Sequence, residues 1–423
     1  MSKLNKHQLS NDQTHFLDAF KSGKNLLLTG CAGTGKSFLL NQLKVKFPHK
    51  QFAFGAPTGL AAMNIEGVTL HRMFWLPIGS LLDGFEPKTD PRLKETLEAL
   101  DVLVIDECSM MRVDIFEAIW KTLEVNLGLE KTKQIQWVLV GDLYQLPPVI
   151  RNEEYESFKN AFGGGFFFLS LIFRDLEFEV IELESVFRQA DQSFISALAG
   201  IRKGEHLRSA LALINRHDKA SKDTTILTTT NATVDRLNRD KILAISAPEY
   251  VYHAMKEGKV NRGDVNCERT LVLKRGARVM TLINSDDYIN GDKGTVIDLD
   301  DGLVTVQLDR DSSIHEIGFH KYNIRSYGKG NDGKIGTRIS SWVEQIPLKP
   351  AYALTVHKSQ GQTLSGVHLD LSTTGAFAPG QIYVALSRCS TLDGLSVESP
   401  IKPSDVIVDS SVEEFYTQSL KQA

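Results

Sequence analysis

Cysteine is scarce in this chain, with four in 423 residues. Cys31, Cys108, Cys267 and Cys389 are scattered without a C-x-x-C pair. That spacing excludes a zinc site and a disulfide framework, and reads as free thiols in a reducing compartment. A long hydrophobic run is missing too. The longest apolar stretch, Phe166 to Phe173, is far too short to span a bilayer. It reads as a buried strand or core helix, and no membrane is expected as a partner. The first residues are polar, and no secretory signal is read there. Repeats and low-complexity tracts are absent. So is a strong excess of either charge: the net value is −4, which excludes little, because a mildly acidic protein can carry a basic groove. Apolar residues make up 42%, enough for real cores, and the length suits about two to four domains.

What is present is a complete phosphate-binding loop, Gly30-Cys31-Ala32-Gly33-Thr34-Gly35-Lys36-Ser37. Without a Cβ at Gly30, Gly33 and Gly35, the backbone can curl its N–H groups around phosphate oxygens. Lys36 reaches the β- and γ-phosphates as a point charge, and the Ser37 hydroxyl can hold Mg²⁺. The flanks fit. Asn25 to Thr29 is a short apolar run expected to be a buried strand. Leu39, Leu40, Leu43 and Phe47 then recur at helical spacing. The helix N-terminus therefore faces the phosphate.

A second apolar run, Asp101 to Ile105, ends in Asp106-Glu107. Carboxylates at the end of a parallel strand sit where open α/β sheets bind ligands. Asp106 is expected to hold Mg²⁺ and Glu107 to polarise the attacking water, which points to hydrolysis of the nucleotide rather than its storage. A third run, Trp137 to Val140, leads into Gly141-Asp142-Leu143-Tyr144-Gln145-Leu146-Pro147-Pro148. Gln145 can hydrogen-bond the γ-phosphate or the attacking water, and the two prolines stiffen the exit.

In this order the motifs resemble the superfamily-one helicases, and most closely the Pif-type DNA helicases near the RecD-like and Dda enzymes. The resemblance also rests on Ala56 to Ala62, Gly67 to His71, Phe187-Arg188-Gln189, Thr355 to Thr363 and Tyr383 to Arg388. It runs from about Gln13 to about Leu395. It implies an ATP-dependent DNA helicase that moves 5′ to 3′ on single-stranded DNA and opens duplex, forked or structured DNA. By resemblance, Gln13 reads adenine, and Gln360 and Gly361 join the nucleotide site. Arg188 and Arg388 act as arginine fingers, each worth about 10³–10⁵ in rate. Pro57, Thr58, Thr69, His71, Thr230, Asn231, His357, Lys358 and Ser359 would touch the strand, through amides, hydroxyls and a cation that tolerate any sequence. ATP would bridge Lys36 and Gln145 on one lobe to the arginines on the other, and its hydrolysis would release the lobes.

The expected architecture is α/β, with two RecA-like lobes. The first lobe covers residues 1–178, with strands near Leu26, Phe52, Val102, Val138 and Val180. The second covers 179–270 and 346–423, with strands near Ile226 and Val367 and a helix near Tyr383. Residues 271–345 switch to short strands, with a hairpin at Asp300-Asp301-Gly302. They read as an inserted Src-homology-type β-barrel, with a mobile loop at Gly328 to Gly336. A second insertion at about 76–98 is expected to split the duplex, with Phe85 as candidate wedge. Three rival readings stay open at this point: a translocase with weak unwinding, an RNA helicase, and a non-motor phosphate-loop protein. Cytoplasmic location, a monomer, single-strand-binding or replication and repair partners, and work in recombination and telomere maintenance complete the expectations.

Overall fold

The computed structural model describes residues 9–82, 84–189, 191–216, 224–261, 264–329 and 334–419. The chain forms two compact units, one of Met1–Arg188, Tyr327–Thr337 and Asp409–Ala423, the other of Gln189–Ser326 and Arg338–Val408.

The first unit is built on β1 (Leu26–Gly30), β2 (Phe52–Ala56), β3 (Val68–Thr69), β4 (Val102–Ile105), β5 (Gln136–Val140) and β6 (Glu179–Leu183). They form one sheet, ordered β3-β2-β4-β5-β1-β6, with every pairing parallel. Crossover helices cover both faces, so both faces are dry and the strands read as unbroken apolar runs. Leu26, Leu28, Val102, Val104, Val138 and Val140 feed the core on one face. Their alternates Leu27, Leu103, Ile105, Trp137 and Leu139 feed the core on the other. Phe166 to Phe173 forms a 3₁₀ turn and the start of a short helix, with its aromatic rings buried in the second of these cores.

Because β6 pairs with β1, the lobe boundary expected after residue 178 falls instead after Arg188. Two later segments also belong to this unit. In the first, far from Phe54 in sequence, the Tyr327 hydroxyl oxygen accepts from Phe54 N at 2.7 Å, and Ile335 N donates to Gln51 Oε1 at 3.2 Å. The second is the helix Ser410–Ser419, whose Val412 and Tyr416 join the same core as Trp137. Residues 409–423 therefore depart from the second-lobe assignment.

The second unit contains β7 (Thr225–Thr228), β8 (Glu249–His253), β9 (Met255–Glu257), β10 (Thr270–Lys274), β11 (Arg278–Thr281), β12 (Lys293–Leu299) and β13 (Leu303–Leu308). It continues with β14 (Ile314–Gly318), β15 (His320–Lys329), β16 (Ile335–Gln345), β17 (Leu348–Pro350), β18 (Ala353–Thr355), β19 (Val367–Leu369) and β20 (Leu395–Val397). The outer ends of β15 and β16 fall in the Tyr327–Thr337 segment of the first unit. Strands β18-β7-β19-β20 form a parallel sheet. The order β14-β13-β12-β11-β17 is antiparallel, with smaller sheets β10-β8 and β15-β16-β9 beside it in sequence. Here alternation replaces the apolar run: Val304, Val306 and Leu308 are buried, while Gln307 between them is exposed. The expected turn holds, with Asp300 Oδ1 accepting from Gly302 N at 2.9 Å and Leu303 N at 2.8 Å. The mobile loop expected at Gly328 to Gly336 is different: its described residues are largely the ends of β15 and β16, and residues 330–333 lie outside the described ones.

Candidate nucleotide and nucleic-acid sites

In the first unit the predicted site residues line up along the carboxyl edge of the sheet. Strand order sets their sequence in space. Thr69 ends β3, Pro57 and Thr58 follow β2, Asp106 and Glu107 follow β4, Gln145 lies after β5, the loop Gly30–Ser37 follows β1, and Arg188 lies beyond β6. Strand-contact candidates thus occupy one flank and nucleotide candidates the other.

The loop is held tightly. Gly33 has φ +85°, and a Cβ there would sit 2.4 Å from the Arg188 Cβ, so no larger residue fits. Phe187 N donates to Gly33 O at 2.8 Å. Arg188 is therefore built against the loop from within the first unit, a correction to its expected place in the second lobe. Thr34 is buried and donates to Cys31 O at 2.9 Å. Lys36 begins the helix Lys36–Lys46, and its Nζ donates to Gly30 O at 2.7 Å and Cys31 O at 2.9 Å. Ser37 is exposed in the first turn.

Gln13 is buried in the helix Asn11–Lys21. Its Oε1 accepts from Ser10 N at 3.2 Å, which caps that helix. Its Nε2 lies 3.1 Å from where a Gly35 Cβ would stand. The Phe187 ring comes within 3.9 Å of the same point and is 65% exposed. Sequence reading noted Phe187 only as part of a motif. Its exposed ring beside an amide offers a flat apolar face and a hydrogen-bonding edge to a base.

Asp106 is partly open to solvent but densely surrounded. Its Oδ1 accepts from Glu107 N at 2.9 Å. Burial first, and then the Glu107 charge, push its carboxyl up to about 7, against the Glu107 N–H and the Lys36 ammonium. Glu107 sits at φ +50°, a costly region for a side chain with a Cβ. Two oxygen-bearing acids with more negative charge than the nearby lysine balances suit a hard divalent cation that keeps some of its waters. Ser37 and Asp106 fit Mg²⁺ on that ground. Gln145 is buried in the turn after β5.

A residue that sequence reading missed comes from the far end of the chain. Tyr416 stacks on Tyr144, the neighbour of Gln145, with centroids 5.2 Å apart and planes 3° apart. Its hydroxyl hydrogen-bonds Thr29, which leads into the loop. No local motif signals this role.

Among the strand-contact candidates, Thr58 caps the helix Gly59–Asn64 by accepting from Ala61 N at 3.2 Å. Thr230 plays the same part in the second unit, ahead of the helix Asn231–Leu243, with Asn231 exposed beside it. Thr69 precedes the short helix Leu70–Met73 that carries half-buried His71. Lys358 is exposed and His357 half-buried. Ser359 departs from expectation: it is fully buried and donates to Val356 O at 2.8 Å, so its hydroxyl is committed to its own turn. Phe85 is half-buried against the first unit's core, which is the opposite of what a projecting wedge requires.

Also in the second unit, Arg388 is almost fully buried at the end of the helix Gln381–Ser387. It donates to Val384 O at 3.1 Å, Gln362 O at 3.3 Å and Ser387 Oγ at 2.9 Å. Gln189 Nε2 donates to Ser387 O at 3.4 Å and Cys389 O at 3.1 Å, bracketing that arginine's backbone. Gln360 is buried and Gly361 exposed in the turn before Gln362.

A parallel sheet with a phosphate loop after β1 and an acidic pair after β4 defines an α/β nucleoside triphosphatase of the phosphate-loop class. The model of the PIF1-like helicase family matches residues 8–208. The ATP-dependent DNA helicase Pif1 of Bdellovibrio bacteriovorus is 31% identical, over 97% of this chain and 92% of that protein. Human ATP-dependent DNA helicase PIF1 is 32% identical over 97% of this chain, which spans 64% of the human protein. The crystal structure of Bacteroides Pif1 in complex with ADP-AlF4 superposes with a TM-score of 0.88 at 31% identity, covering 99% of this chain and 98% of that one. The chain belongs to the Pif1 family of helicases.

Proposed function

We propose that this protein is an ATP-dependent DNA helicase that translocates on single-stranded DNA, 5′ to 3′, and separates duplex or forked DNA. One observation carries the reading: a single sheet edge presents strand-contact candidates beside the hydrolytic groups, in the order fixed by β3-β2-β4-β5-β1-β6. Movement of the edge under the nucleotide then reaches the strand without a long relay.

In this reading Gln13 and Phe187 receive adenine, and the loop N–H groups with Lys36 hold the phosphates. Ser37 and Asp106 hold Mg²⁺, which when bound supplies charge neutralisation on the phosphates. Glu107 accepts the proton of the attacking water, and Gln145 senses the terminal phosphate. Arg188 and Arg388 stabilise charge on that phosphate in the transition state, with Gln189 fixing the backbone of Arg388. Gln360 and Gly361 complete the nucleotide site. Pro57, Thr58, Thr69, His71, Thr230, Asn231, His357 and Lys358 hold the strand's backbone. The parallel sheet of each unit is read as a RecA-like motor, and the antiparallel sheets of the second as a small inserted barrel. The relatives' names place the substrate as DNA; Bacteroides Pif1, similar at a TM-score of 0.73 and 32% identity, has been crystallised bound to single-stranded DNA. Among the described residues no helix is long and apolar enough to cross a membrane.

The test is ATP hydrolysis with and without single-stranded DNA, paired with strand displacement on 5′- and 3′-tailed duplexes. Stimulated hydrolysis and displacement of the 5′-tailed duplex alone are expected. ATP turnover indifferent to oligonucleotide would reject the reading, and stimulation by ribo-oligonucleotide alone would move it to RNA.

A further inference from the structure

Between β3 and the helix Pro91–Glu98, the described residues of the stretch 76–90 form neither helix nor strand. Their backbone is nevertheless anchored to one element, the helix Val113–Leu127 and the residue that precedes it. Arg112 Nη2 donates to Gly79 O at 2.5 Å and to Asp114 Oδ2 at 2.6 Å. Arg112 Nε donates to Asp114 Oδ1 at 2.9 Å, and Leu81 N donates to Asp114 Oδ2 at 2.9 Å. Lys121 Nζ donates to Phe85 O at 2.9 Å, and Asn126 Nδ2 to Lys88 O at 3.3 Å. Leu76 N donates to His71 O at 2.9 Å, which joins the start of the segment to the His71 turn.

The pair is buried, with side chains 15% and 2% exposed. A buried ion pair is weak evidence for stability, because desolvation offsets most of the attraction. This one also hydrogen-bonds the main chain of the irregular segment at Gly79 and Leu81, which is what a device for fixing geometry does. Phe85 and Leu81 turn inward onto the core. Ile78, directly before the Gly79 anchor, points the other way and is 75% exposed. An apolar side chain that exposed, on backbone held at its next residue, is presented already ordered.

We propose that Ile78, not Phe85, is the apolar tip that parts the duplex, and that the Arg112–Asp114 pair is the latch that holds it in register with the strand contact at His71. The proposal rests on the helicase reading above. Apolar side chains that enter a base step unstack it at a cost of a few kcal/mol. A loose tip would move aside instead of transmitting that work, so the latch is a positioning element and the tip does the parting.

The experiment compares the full chain with Ile78→Ser, Arg112→Lys and the double variant. Each is assayed for displacement of a 5′-tailed duplex and for ATP hydrolysis stimulated by single-stranded DNA. Ile78→Ser is expected to lower displacement about tenfold with stimulated hydrolysis unchanged. Arg112→Lys keeps the charge but loses the two-pronged grip; it is expected to lower displacement about threefold and the double variant to fall no further than Ile78→Ser. Displacement by Ile78→Ser at the parent's rate overturns the tip, and fully additive losses overturn the latch. If Arg112→Lys also melts lower, Ile78→Ser still decides, since its exposed side chain contributes little to the core. A parent without DNA-stimulated hydrolysis rejects the helicase reading itself, a result separate from either of these.

Discussion

Lys349 lies on β17 with its neighbour Leu348 in the antiparallel core, so its own side chain is turned to the opposite face. It is 5% exposed, and its Nζ has no hydrogen-bond partner among the described residues. Burial, and then the Lys358 ammonium, lower its pKa to about 8, against Glu268. A lysine depressed on folding costs stability wherever folded protein must carry its charge. The cost is full below about pH 8 and vanishes above the unfolded value of about 10.4. Lys349→Met should therefore stabilise the protein by about 2 kcal/mol at pH 7, and the gain should shrink as pH rises through 8 toward 10. Melting curves of both proteins across that range check it; a gain that grows with pH contradicts the assignment. Glu107→Gln tests a different property. It removes a proton acceptor with little change in shape, so nucleotide affinity should persist while kcat falls about 10²–10⁴-fold. Steady-state turnover at the parent's level removes Glu107 from the reaction.

The helix Ser410–Ser419 is the element whose importance is least visible in its own residues. Phe415 stacks on Phe168 with centroids 4.5 Å apart, while Tyr416 holds Tyr144 and Thr29. Tyr416→Phe removes one hydrogen bond and keeps the ring, so it should cost about 1 kcal/mol of stability and shift ATP turnover modestly. Ending the chain after Asp409 removes the ring too, and should lower both the melting temperature and ATP affinity. Retained ATP affinity in the truncated protein would show that the helix supports only the fold. The strands of the first sheet were legible because each apolar run ends in residues with a stated chemical use: Gly30 after β1, Asp106 after β4, Gly141 after β5. Local spacing sufficed there. It failed where a segment packs far from its sequence neighbours. Nothing in Ser410–Ser419 names Tyr144 as its partner, and nothing in Tyr327 names Phe54. β6 was legible as a first-lobe strand near Val180, and its pairing with β1 carries the boundary past it to Arg188. Phe85 stands out in the sequence for its ring alone, and composition cannot say which way a ring turns in an irregular segment; backbone anchors at Gly79 and Leu81 decide that. Ser359 failed likewise, since a hydroxyl in a motif reads the same whether it faces a ligand or its own carbonyl.

The molecule as a whole carries a net charge of −4, while DNA is a dense polyanion. At long range the two repel, and salt above about 0.1 M screens that repulsion within roughly 10 Å. Binding must then come from local groups, and most of the proposed strand contacts are neutral. Thr58, Thr69, Thr230 and Asn231 carry no charge, and burial lowers the pKa of both His71 and His357, favouring their neutral forms. Lys358, exposed in the turn His357–Ser359, is the cation of the set. The plot of log affinity for single-stranded DNA against log salt should accordingly be shallow for a helicase, with about −0.7 contributed by each phosphate that is neutralised. Lys358→Gln should flatten it by about that one step, while ATP binding in the absence of DNA stays unchanged. Fluorescence anisotropy of a labelled oligonucleotide across a salt series measures both slopes. A steep dependence that survives Lys358→Gln would place the grip on other cations of the surface, and the neutral residues along the sheet edges would then serve to set the strand's path rather than to hold it.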